Sequence, residues 1–175
     1  MISKTKSKNS VAEHRSRSHD QASVAVITLS SSRTLANDQS GDIIQSLLEE
    51  EGHTVVARMI LKDDRTALKS AIKDLIRQKK VKAIISSGGT GLSPTDITIE
   101  TVRDMLEKEL PGFNAMFMQL SYPQVKSAAM LSRALAGSIK GKMIFCLPGS
   151  PRACKLAMES LILPELGHML MILGI

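Results

Sequence analysis

At 175 residues the chain is long enough to bury one full core, and 43% of it is hydrophobic while only 2% is aromatic. Three Phe, one Tyr and no Trp leave no stacking platform for single-stranded nucleic acid. The net charge of +6 is uneven, because five Lys or Arg against two carboxylates in residues 1–20 hold half of it; the mildly basic remainder suits a phosphorylated small molecule better than a nucleic acid.

Residues 1–21, rich in Ser, Lys and Arg, have the composition of a disordered basic tail, and residues 22–175 are expected to form a single α/β domain. His14 and His19 in the tail have no companions for a metal site. Residues 23–30 are almost continuously apolar, as expected of a strand covered on both faces. Ser30, Ser31, Ser32 and Arg33 then fall at its carboxyl end, which is the ligand side of a parallel sheet. Arg33 suits a bidentate contact with phosphate or a planar heterocycle, and equally an exposed loop position.

Residues 42–51 read as a helix with Ser40 as N-cap, a buried stripe of Ile43, Ile44, Leu47 and Leu48, and Gly52 as its stop. A second strand spans residues 54–61. A second helix over 66–79 repeats Leu68, Ala71, Ile72, Leu75 and Ile76 at helical spacing. Asp63 and Asp64 between them can cap that helix or place a carboxylate at the ligand edge. Spacing alone favours the cap.

The apolar run 81–85 predicts a third strand. Ser86-Ser87-Gly88-Gly89-Thr90-Gly91 follows it, and a helix is expected from about residue 98 to 108. Strand, glycines, helix is where an α/β protein holds an anion. The glycines allow a sharp turn whose N–H groups gather around phosphate, with Ser86, Ser87 and Thr90 as hydroxyl donors. Asp96 would repel an anion unless a divalent cation lies between them.

Beyond it, Met116, Phe117 and Leu120 recur at helical spacing, fitting a core or subunit contact. Residues 128–137 suggest a short strand, Lys140-Gly141 a turn, and 142–147 a last buried strand. Pro148-Gly149-Ser150-Pro151 opens a final helix with Ser150 as N-cap and Pro151 at its first position, a second candidate anion site. Cys146 and Cys154 match no zinc or redox spacing and read as reduced core residues. The apolar stretch 161–175 is too short and too interrupted to span a bilayer. A cytoplasmic protein is expected. The element order gives a three-layer α/β/α fold around a mostly parallel sheet.

Several of these stretches together resemble a known family. Ser87-Gly88-Gly89-Thr90-Gly91-Leu92-Ser93-Pro94-Thr95-Asp96-Ile97-Thr98 resembles the TGGTGLTPRDVT signature of the MoaB/MogA molybdenum cofactor biosynthesis family. Leu147-Pro148-Gly149-Ser150-Pro151 resembles its LPGxP motif and Asp38-Gln39-Ser40-Gly41 its DxSG element. Glu109-Leu110-Pro111-Gly112-Phe113 and Leu131-Ser132-Arg133 resemble two further elements, and the compact length looks closest to MoaB. Ser87 stands for the usual Thr, Thr95 for a common Arg, and Ile99 for a frequent Pro.

The resemblance implies a molybdopterin-binding fold assembled as a homotrimer or a hexamer, with a molybdenum insertase as a possible downstream partner; composition alone already argues against nucleic-acid and membrane partners. It implies adenylylation of molybdopterin by ATP with Mg²⁺. The family's two functional aspartates fall on Asp63 and Asp96, which would be catalytic and metal-binding. Ser87, Gly88, Gly89, Thr90 and Gly91 would hold phosphate, and Ser30, Arg33, Ser132, Pro148, Gly149 and Ser150 would contact pterin or nucleotide. Two other readings are a catalytically silent pterin-binding or scaffold protein of the same pathway, and a relative that hydrolyses pyrophosphate bonds. The presence of both aspartates favours the enzyme.

Overall fold

The computed structural model of the protein describes residues 21–175, so the basic tail expected over 1–21 lies outside it except for Gln21. Three strands buried along almost their whole length, β1 (Ser23–Leu29), β3 (Ala83–Ser87) and β6 (Lys142–Leu147), run parallel side by side. β2 (Thr54–Leu61) flanks β1 in parallel. On the other side β5 (Leu135–Ile139) pairs antiparallel with β6, and the two-residue β4 (Lys108–Glu109) antiparallel with β5. The order is β2-β1-β3-β6-β5-β4.

Alternation along β1 divides the core into two layers. Val24 and Val26 face Ile44 and Leu48 of α1 (Gln39–Glu50), Phe113 and Phe117 of α4 (Pro111–Val125), Cys154 and Ala157 of α5 (Pro151–Ala157), and Leu166 and Leu170 of α6 (Leu166–Ile172). Ala25, Ile27 and Leu29 face Leu68, Ile72 and Leu75 of α2 (Arg65–Arg77) and Ile99 and Val102 of α3 (Thr98–Arg103). The fold is thus the expected three-layer α/β/α arrangement, and each such Leu or Ile removed from water contributes about 1.5–3 kcal/mol.

Several expected elements differ. The cap of α1 is Asp38, which accepts the Gly41 N–H at 3.0 Å, rather than Ser40, which lies inside the helix. β3 runs two residues past the apolar run, because Ser86 and Ser87 continue the pairing with Ile27 and Thr28 of β1 and with Cys146 and Leu147 of β6. α3 stops at Arg103, and the chain becomes extended at Lys108–Glu109 to pair with β5. The strand expected over 128–137 begins only at Leu135; a 3₁₀ helix, Lys126–Leu131, occupies the first four residues of that stretch. α4 runs through Pro123 to Val125 and breaks at Lys126, whose φ is +53°.

Parallel register brings the ligand edge together. Thr28, Ser87 and Leu147 are neighbours across three adjacent strands, so the loops that follow β1, β3 and β6 leave side by side. The chain moves from β1 outward to β2 and then back across to β3, and the crevice at such a reversal is where open α/β sheets place ligands. Among the described residues no helix is long and apolar enough to cross a membrane.

Candidate active site

A cleft of about 790 Å³ opens over the carboxyl ends of these strands. Its floor is the glycine loop. Gly88 and Gly89 have φ of +93° and +61°, a region that side-chain-bearing residues rarely enter. A Cβ on Gly88 would lie 2.3 Å from the Leu29 carbonyl oxygen, and one on Gly149 would lie 3.1 Å from the Gly88 Cα. Gly88 therefore has no room for a side chain, and at Gly149 one would press the two loops apart by a few tenths of an ångström. Thr98 at the start of α3 fixes the loop, with its hydroxyl donating to the Gly88 carbonyl at 2.8 Å and its N–H to the Gly89 carbonyl at 2.9 Å. Among the described residues no hydrogen bond takes up the N–H groups of Gly89, Thr90 or Gly91, which leaves them available to an anion.

Asp63 and Asp96 both line this cleft, from different loops. Asp64, not Asp63, caps α2 by accepting the Ala67 N–H at 2.6 Å. This frees Asp63, which accepts the Ser31 hydroxyl at 2.8 Å through Oδ2. A Cβ built on Gly89 would stand 3.5 Å from Asp63 Oδ1, so this carboxylate lies beside the glycine loop. Asp96 accepts the Ser93 N–H at 2.8 Å through Oδ2, and a Cβ on Gly91 would be 2.7 Å from that same oxygen. In each aspartate Oδ1 is left without a hydrogen bond among the described residues.

Two carboxylates with hydroxyls nearby, and no further His, Cys, Asp or Glu gathered with them among the described residues, make an all-oxygen and open donor set. That set fits Mg²⁺, which keeps waters and substrate phosphates in its shell and rarely takes more than one or two protein carboxylates. Thiol chemistry is absent from the design: burial pushes both Cys146 and Cys154 up to about 12, and Cys154 points its sulfur at the Pro148 carbonyl, 3.2 Å away.

Of the remaining residues singled out in the sequence, Gly88 to Gly91, Ser30, Arg33, Ser132 and the Pro148–Gly149–Ser150 turn all line the cleft. Ser87 does not. It is fully buried at the end of β3, 3.4 Å from the Thr28 hydroxyl, and the longer strand is the reason. Ser30 is a turn former whose hydroxyl accepts the N–H groups of Ser32 and Arg33. Arg33 is not a loose loop residue. It donates to the Ser40 hydroxyl and the Gly149 carbonyl, both at 3.2 Å, and so ties the loop after β1 to the loop after β6. Ser40, mistaken for the cap, donates to that same Gly149 carbonyl at 2.8 Å. Ser150 caps α5 as expected by accepting the Ala153 N–H.

Sequence reasoning gave no role to Asp38, which is the hub behind the site. Its fully buried carboxylate accepts from the Thr28 hydroxyl at 2.8 Å and from Arg58 at 3.1 Å, besides capping α1. Burial pushes this carboxyl up, but the Gly41 N–H, the Thr28 hydroxyl and the Arg58 guanidinium outweigh it and hold the group below the usual carboxylate range. The only signal was its place in the DxSG stretch.

Residues 25–168 match the family described as a probable molybdopterin binding domain. Molybdenum cofactor biosynthesis protein B of Bacillus subtilis is 43% identical over 160 residues, covering 91% of this chain and 94% of that protein. The chain belongs to the MoaB/MogA family. A crystal structure of a molybdenum cofactor biosynthesis protein B superposes with a TM-score of 0.86 at 40% identity, covering 89% of this chain and 97% of the other. The tungsten cofactor synthesizing protein MoaB of Pyrococcus furiosus gives 0.79 at 33%, covering 87% and 97%. These matches cover nearly the whole length of the domain.

Proposed function

We propose that this MoaB-family protein is a molybdopterin adenylyltransferase, with molybdopterin and ATP as substrates and Mg²⁺ as cofactor. The observation that carries this reading is that two carboxylates from different loops meet a glycine loop with unspent N–H groups in one cleft. The molybdopterin phosphate oxygen attacks the α-phosphorus of ATP, a P–O bond forms, and pyrophosphate leaves with its electron pair. Bound Mg²⁺ would neutralise phosphate charge. Asp63 and Asp96 would hold it there, while the Gly89 to Gly91 amides would hold phosphate oxygens and fix the angle of attack. Positioning and charge neutralisation carry most of the barrier lowering in such transfers. The loops tied together by Arg33 supply a wall for the pterin or nucleotide base.

Label transfer tests this. With molybdopterin and Mg²⁺, label from α-phosphorus-labelled ATP should appear on the pterin, and label from the γ position should not. Bound molybdopterin that never acquires the α label would contradict the enzyme and leave a pterin-binding or scaffold protein.

A further inference from the structure

Arg133 lines the cleft next to Ser132, but its guanidinium is spent on the glycine loop. Its Nε donates to the Thr90 carbonyl at 2.8 Å and one terminal nitrogen donates to the Gly91 carbonyl at 2.7 Å. The other terminal nitrogen donates to Glu100 Oε1 at 2.6 Å, and Glu100 stands on α3 outside the cleft lining. Hydrogen bonding to Arg133 holds the Glu100 carboxyl below its ordinary range, against a smaller push from burial. One rigid fork therefore takes two consecutive loop carbonyls and is itself aimed by a carboxylate on the helix that the loop feeds.

The consequence follows from peptide planarity. In a trans peptide the N–H points opposite to the C=O of the same unit. Pinning the Thr90 and Gly91 carbonyls toward the guanidinium turns the Gly91 and Leu92 N–H groups to its far side. Glycine at 91 supplies no side chain to set that orientation. Lysine would not replace the fork, since its ammonium is a point donor and does not present two parallel N–H groups.

We propose that Arg133 is a positioning residue: with Glu100 it presets the peptide orientation of the loop 90–92 so that the loop receives phosphate without reorganising. The inference rests on the reading of the cleft as a nucleotide phosphate site. It differs from a direct arginine–phosphate contact, and Glu100 separates the two. If Arg133 positions the loop, Glu100→Gln loosens the fork and weakens ATP. If Arg133 binds phosphate itself, Glu100→Gln releases it and tightens ATP.

The test uses the full chain with Arg133→Gln, Arg133→Lys, Glu100→Gln and the double Arg133→Gln/Glu100→Gln, each checked for unchanged melting of the rest of the fold. Amide hydrogen exchange of Gly88, Ser93 and Thr98, whose N–H groups are bonded within or across this loop, should rise without any nucleotide at least tenfold in Arg133→Gln and less in Glu100→Gln, with the β-strands unchanged. ATP affinity by calorimetry should fall at least tenfold in Arg133→Gln and Arg133→Lys, severalfold in Glu100→Gln, and no further in the double. Unaltered loop exchange in Arg133→Gln, or tighter ATP in Glu100→Gln, overturns the proposal. A wild-type protein that binds no ATP overturns the nucleotide reading instead, and the exchange result then decides the loop-ordering role by itself.

Discussion

Asp38 shows how a residue far from any substrate sets the site. It caps α1, anchors Thr28 of β1 and pairs with Arg58 of β2, so one buried carboxylate joins three elements directly beneath the loops. Removing one member of a buried pair leaves the other uncompensated, at a cost of about 3–5 kcal/mol. Asp38→Asn should lower stability by about that amount near neutral pH, measured as a shift in urea midpoint. The folded-state pKa is depressed, so the carboxylate's contribution is present above the ordinary carboxylate range and lost as pH falls through the folded value. The gap between wild type and Asp38→Asn should therefore narrow from about pH 7 to about pH 3; a constant gap would mean that the charge does not carry the effect. At this scale the placing of Asp96 and the glycines at the ligand edge was legible from a short motif, whereas spacing favoured Asp63 as a cap and only the family resemblance pointed it to the cleft. Asp38 and Arg133 were not assigned roles, because what they do depends on partners that only the fold brings near, such as Arg58, 20 residues away, and Thr90, 43 away.

Elements were legible where periodicity was strong. β1, β2 and β6 fall almost where the apolar runs place them, and the α2 stripe is buried as its spacing requires. The misses are where pairing overrides composition. Ser86 and Ser87 are polar, yet strands on both sides carry them into the sheet. The β5 start was placed too early because the apolar run 128–131 reads as strand but folds as a 3₁₀ helix, while antiparallel pairing with β6 begins at Leu135. The hairpin turn between these strands was read correctly, and it carries strain: Lys140 and Gly141 have φ of +48° and +71°. Tight two-residue turns of this kind favour Asn-Gly. Lys140→Asn should thus raise stability by about 0.5 kcal/mol in chemical denaturation, after loss of the exposed Lys140–Glu107 pair, which is worth little. A loss of stability would show that the ion pair outweighs the backbone strain.

On the scale of the molecule, the cleft occupies one edge of the sheet, while an apolar surface lies along α4 and the 3₁₀ turn after it. Met116, Tyr122, Val125, Met130 and Leu131 are all exposed there, with Met130 at 75%. We propose that further copies of this chain cover that surface, in the trimer or hexamer that the family resemblance implies. Sedimentation should show an assembly larger than the monomer, and Met130→Glu should shift it toward monomer at equal concentration. A monomeric wild type would leave this patch without that explanation.

The central claim is that Asp63 and Asp96 act together in one phosphate-transfer site. The measurement that tests it most directly is pyrophosphate release by the full chain with molybdopterin, ATP and Mg²⁺, beside Asp63→Ala and Asp96→Asn. The account predicts release that requires molybdopterin and falls at least a hundredfold, about 2.7 kcal/mol of transition-state stabilisation, in each variant while folding is retained. Equal release from wild type and either variant, or none from wild type with molybdopterin bound, would contradict it.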